Sequence, residues 1–90
     1  MTHVRKPLSN CEKALLKHIY ARLLNGDRLP NGGVERQTTL DQWRKLAACD
    51  GLTESDLQMH LRSLVQRQYI HDCTEENEFH LLQLGIDEVS

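Results

Sequence analysis

The sequence predicts a small α+β domain, mainly helical with one short β-hairpin, and three features point to it. Apolar residues recur at three- and four-residue steps in three stretches before residue 70, the spacing of a helix with one buried face. Two short runs rich in aromatic and β-branched residues follow, with a polar turn between them. The chain has 90 residues, of which 39% are hydrophobic and 27% charged, which suits one folded domain and excludes a disordered chain. Residues 9–90 are expected to form that domain, behind a flexible polar arm over 1–8.

The first helix is expected over about 10–25. Ser9 and Glu12 have the spacing of a capping box, in which the hydroxyl accepts from an orphan amide and the carboxylate reaches back to the cap. Leu8 stands at the hydrophobic-staple position. Cys11, Leu15, Leu16, Ile19, Tyr20, Leu23 and Leu24 form the apolar face. Asn25-Gly26 ends the helix, because glycine enters the left-handed region without a steric penalty.

Residues 26–37 read as a polar connection, with an edge strand near Glu35 to Gln37. Thr38 and Thr39 then offer helix caps. Leu40, Trp43, Leu46 and Ala47 share one face of a second helix over about 40–48. Asp50-Gly51 marks a turn, and Thr53-Glu54-Ser55-Asp56 resembles a capping box. Leu57, Leu61, Leu64 and Val65 are the buried stripe of a third helix over about 54–68. Residues 69–73 and 79–84 read as strands joined by a five-residue turn, Thr74 to Asn77 and Glu78, and Gly85 to Val89 as a final helical turn. A plain helical bundle would need 69–84 to be helical, against the β-branched and aromatic residues there.

Residues 38–85 resemble a winged helix-turn-helix domain, three helices plus a wing, of the kind found in small bacterial regulators of MarR-like and related types. Thr39-Leu40 with Trp43, Leu46 and Ala47 is similar to the first helix of the motif, and Asp50-Gly51-Leu52-Thr53 to its turn and second cap. The leucine stripe of the third helix is similar to that of a recognition helix, and Leu81-Leu82-Gln83-Leu84-Gly85 resembles the end of a wing. The helix-turn-helix would span about 39–68 and the wing about 69–84. The turn is about one residue longer than the common form, and the usual Thr and Pro after the wing strand are missing.

The resemblance implies a DNA-binding transcriptional regulator whose third helix docks in the major groove. With Leu57 and Leu61 buried, a 100° step per residue turns Ser55, Met59, Arg62, Ser63 and Gln66 outward, with Asp56 and Gln58 on the flanks. Arg62 is suited to guanine, Gln58 or Gln66 to adenine, and Met59 to a thymine methyl. Arg36, Thr38, Thr39, Arg44 and Lys45 are candidate phosphate contacts around the second helix and its N-terminus. Any one of these residues is also what the solvated side of an ordinary amphipathic helix carries.

Charge sets a condition on that reading. The net charge is −2, but residues 1–70 hold all 11 Lys and Arg and sum to +4, whereas residues 71–90 sum to −6. Glu75, Glu76 and Glu78 crowd the expected wing, which a phosphate backbone would repel, so the wing is expected to stay off DNA. The alternative function is a protein-interaction module that offers the acidic wing and C-terminus to a basic partner. A monomer or a weak homodimer through the first helix is a further expectation, and function on DNA would favour the dimer, since one half-site gives limited specificity.

No cofactor and no catalysis are expected, because no nucleophile elbow, phosphate-cradling glycine loop or HExxH motif occurs. Cys11, Cys49 and Cys73 lack a paired CxxC spacing and read as reduced thiols. A zinc site from His71, Cys73 and His80 is disfavoured: with a five-residue turn Cys73 faces Phe79, which puts His80 on the opposite side of the hairpin. No run approaches the length of a membrane span, and the N-terminus lacks a signal-type apolar stretch, so a cytoplasmic protein is expected.

Overall fold

A computed structural model describes residues 6–90. The elements run α1 (Asn10–Leu24), β1 (Val34–Glu35), α2 (Arg36–Arg44), a 3-10 turn (Ala47–Cys49), α3 (Glu54–Gln66), β2 (Ile70–Cys73), β3 (Glu78–Leu81) and α4 (Gln83–Val89). The strands form one antiparallel sheet in the order β1-β3-β2. The first five residues of the expected arm lie outside the described residues, and Leu8 at its end is buried in the core.

The capping box of α1 is present: the Ser9 amide donates to Glu12 Oε1 at 2.8 Å, and the Glu12 amide to Ser9 Oγ at 3.1 Å. At the other end Gly26 takes a φ of 86°, and the Asp27 amide donates to the Arg22 carbonyl at 3.0 Å, a Schellman closure. Between them Leu15, Leu16 and Ile19 are fully buried. The core they begin is completed by Val34, Leu40, Trp43, Leu64, Tyr69, Ile70 and Phe79. Trp43 Nε1 donates to the Cys11 carbonyl at 2.9 Å, which satisfies the one polar atom of the largest core side chain. α4 packs against α1 and brings Leu84 and Val89 to the same core.

Around α2 three boundaries differ from expectation. α2 begins at Arg36, directly after β1, rather than near residue 40. Its first two amides are capped from the distant hairpin: Arg36 N–H donates to the Asn77 carbonyl at 2.8 Å and Gln37 N–H to Asn77 Oδ1 at 3.1 Å. The edge strand consequently lies at Val34–Glu35, opposite Phe79 and Glu78. The helix also ends sooner, because Leu46 turns extended (φ −72°, ψ 145°) and leads into the 3-10 turn.

α3 keeps its Thr53–Asp56 capping box but stops at Gln66. Gln68 adopts φ 62°, and the Tyr69 amide closes back onto the Leu64 carbonyl at 3.0 Å. The hairpin turn holds four residues instead of five. Asn77, at φ 56°, closes it by donating to the Thr74 carbonyl at 3.2 Å, and asparagine tolerates that conformation better than most residues. The shorter loop shifts the register by one: Cys73 lies opposite Glu78, Asp72 opposite Phe79 and His71 opposite His80. In a period-2 strand this slip changes which side chains share a face. His71, Cys73, Glu78 and His80 therefore stand on one side of the hairpin, not on two.

Candidate nucleic-acid interface

α3 lies with Leu57, Leu61 and Leu64 against the core and its other side in solvent. Ser55, Gln58, Met59, Arg62 and Gln66 are all exposed, and Met59 is 66% exposed. Among the described residues Arg62 has no ion-pair or hydrogen-bond partner. Two clefts flank the helix. One runs toward the hairpin, where Gln58, Arg62 and Gln66 line it with Leu61, Val65, Arg36 and Asp72. The other runs toward α1, where Met59, His60, Ser63 and Arg67 meet Lys6 to Ser9 and Glu12. Met59 thus belongs to a different flank from the glutamines and Arg62.

The phosphate contacts expected around α2 fare unevenly. Thr39 is fully buried: it accepts from Arg22 Nη1 at 2.6 Å and donates to the Glu35 carbonyl, so it ties α1, β1 and α2 together and meets no ligand. Thr38 donates its hydroxyl to Glu35 Oε1. With Glu35 at the N-cap and Asn77 on the first amides, the N-terminus of α2 is filled by the chain itself and is no anion site. Thr38 and Thr39 read as caps only because the true cap comes from 40 residues away.

The arginines divide in the same way. Arg36 grips Asp72 through Nε at 2.7 Å and Nη2 at 3.3 Å, and its guanidinium carbon stands 5.5 Å from the centroid of the Phe79 ring. Arg44 grips Glu54 through Nη2 at 2.7 Å and Nε at 3.1 Å, and reaches Asp41 at 3.0 Å. The hydrogen bonds of that fork raise the Arg44 pKa and lower that of the Glu54 carboxyl. Lys45, at the C-cap of α2, is exposed and has no ion pair among the described residues. Arg62 and Lys45 are therefore the uncommitted cations of the set, and Arg36 and Arg44 reach a ligand only by leaving a carboxylate.

The acidic hairpin is also less exposed than its composition implies. Glu75 and Glu76 are exposed in the turn, but the Glu78 side chain is 8% exposed and pairs with His80 Nε2 at 2.9 Å. Among the described residues no three His, Cys, Asp or Glu side chains are placed to hold a metal ion. No helix is long and apolar enough to cross a membrane.

Sequence reasoning missed the second cleft. Asp56, His60, Ser63 and Arg67 recur at helical spacing along one flank of α3, a signal legible in the sequence. What was not legible is that the residues before α1 cover that flank. Arg67 donates to the Lys6 carbonyl and lies 5.2 Å from the Tyr69 ring centroid. Glu12 closes the cleft floor. Burial alone would raise its carboxyl, but the Ser9 amide and hydroxyl, with His60 and Ser63, outweigh burial and hold it below the ordinary value. Compared with protein-family models, curated proteins and solved structures, the chain matches none.

Proposed function

We propose that this domain is a winged helix-turn-helix module that binds duplex DNA through α3, without catalysis, as a transcriptional regulator. The observation that carries the reading is the outward side of α3. Its side chains are exposed to solvent, and it sets Arg62, unpaired among the described residues, between two glutamines one turn away on either side. Arginine and glutamine are the side chains that read guanine and adenine edges bidentately. The element order, with a short β1 pairing onto the hairpin between the first two helices, supports the winged-helix reading.

Arg62 enters the groove, Gln58 and Gln66 flank it, and Lys45 holds a phosphate. The hairpin turn with Glu75 and Glu76 stays off the backbone. The apolar face of α1 packs inside the protomer, so a homodimer formed through α1 would have to use its polar side.

Fluorescence anisotropy with a randomised pool of labelled duplexes tests the assignment. Arg62→Ala is expected to weaken binding about five- to a hundredfold, about 1–3 kcal/mol, with the fold intact. Changing both Glu75 and Glu76 to Lys is expected to preserve or strengthen DNA binding. If Arg62→Ala has no effect and the lysine variant loses a protein partner instead, the hairpin is the binding surface and the DNA assignment fails.

A further inference from the structure

The three cysteines are not equivalent. Cys73 lies in β2, opposite Glu78 on the outer side of the hairpin. Cys11 in the first turn of α1 and Cys49 in the 3-10 turn are 38 residues apart in sequence, yet their sulfurs lie 3.1 Å apart in the core. Cys11 is 3% exposed and Cys49 4%. A disulfide needs its sulfurs at about 2.05 Å, so closure requires a movement of about 1 Å.

The backbone on both sides is ordered by its own hydrogen bonds. The Cys11 carbonyl accepts from the Trp43 indole at 2.9 Å, and the Cys49 amide donates to the Leu46 carbonyl at 2.9 Å. The two sulfurs are thus held together by helical segments, not by a loop that wanders through many separations. We propose that Cys11 and Cys49 are a built cross-linking site, at which an oxidant of the hydroperoxide class converts the pair to an intramolecular disulfide that ties α1 to the turn between α2 and α3.

The step balances as follows. One sulfur, as thiolate, attacks the peroxide; an S–O bond forms, the O–O bond breaks, and the departing hydroxide takes a proton to become water. The second sulfur attacks that sulfenic sulfur; an S–S bond forms, the S–O bond breaks, and a second water leaves. Two thiols are oxidised by one peroxide. A hydroperoxide suits the site because hydrogen peroxide is close to water in size, whereas a bulky disulfide reagent has no room beside two buried sulfurs. Burial, and then the neighbouring Cys49, push the Cys11 thiol up to about 12, so at neutral pH Cys11 is protonated and makes a slow nucleophile.

The proposal is independent of what α3 binds. Its test uses the full chain carrying Cys73→Ser, which leaves only the pair in question. The protein is treated with hydrogen peroxide, quenched, denatured, alkylated with iodoacetamide and weighed intact. The expected product has lost two hydrogens and takes up no alkyl groups, and a dithiol reductant restores both alkylation sites. Its melting temperature is expected to rise by about 5 °C or more, as for a cross-link that fits the native fold and closes a long loop. Two alkylated cysteines after treatment, or a gain of oxygen without loss of hydrogen, overturn the proposal. A cross-linked product that melts lower than the reduced chain overturns it too, because the bond then forms from opened molecules.

Discussion

Glu12 shows how one residue serves both the local and the long-range structure. Its carboxylate caps α1 through the Ser9 amide and is almost fully buried beside His60, whose Nδ1 lies 3.8 Å from Oε2. Because the folded-state pKa is lowered, the charged form contributes stability above the unfolded value of about 4.3, and that contribution is lost as pH falls through the lower folded value. Glu12→Gln is expected to cost about 1–2 kcal/mol at neutral pH, from the loss of charged hydrogen bonds. Urea unfolding over a pH series checks this: the gap between wild type and variant should close in strong acid. A gap that stays constant with pH would show that the carboxylate's charge contributes nothing. Arg44 and Glu54 form the second informative pair. Glu54→Gln leaves Arg44 with Asp41 as its one remaining carboxylate and removes a negative charge from the start of α3, so duplex affinity at low salt should rise about two- to fivefold. Stability should change by less than about 1 kcal/mol, since the pair is exposed. An unchanged affinity would put Arg44 outside the interface.

Among the elements, α3 is the one whose ends matter most, because its C-terminal closure sets where the hairpin starts. The closure places a glutamine, Gln68, in the left-handed region, where a glycine avoids the clash of Cβ with the backbone. Gln68→Gly is therefore expected to stabilise the domain by about 0.5–1 kcal/mol in thermal unfolding; a loss of stability would mean that the flexibility gained by the unfolded chain outweighs the relief. Local signals made the helices legible. The capping boxes at Ser9 and Thr53, the Asn25-Gly26 stop and the leucine stripe of α3 lie where the sequence put them. The start of α2 and the hairpin register were not legible, and both depend on Asn77. Its side chain and carbonyl cap α2 from across the fold, and its left-handed backbone shortens the turn by one residue. The cap leaves no mark in the residues next to α2, and the turn is marked only by Asn77 itself, just before β3. Of the candidate site, the outward face of α3 was readable from periodicity alone. The burial of Thr39 and the engagement of Arg36 and Arg44 were not, because their partners, Arg22, Asp72 and Glu54, lie 10 to 36 residues away.

Across the whole molecule, the basic and the acidic regions of the chain cancel only in part. Asp72 neutralises Arg36, His80 engages Glu78, and the exposed acids left within residues 71–90 lie in the hairpin turn and in α4. α3 is left with Arg62 outward in the cleft that faces the hairpin, and Lys45 at the end of α2 is likewise unpaired among the described residues. Few uncommitted cations mean few phosphate contacts, so binding should be moderate and should depend on salt with a modest slope. The direct measurement is the affinity of the unmodified protein for duplex DNA from about 20 to 300 mM monovalent salt. The expected result is a linear fall of log K against log salt with a slope of about −2 to −4, the release of counterions from a small number of phosphates. No binding at the lowest salt, or an affinity that does not change with salt, would contradict a DNA-binding role for α3.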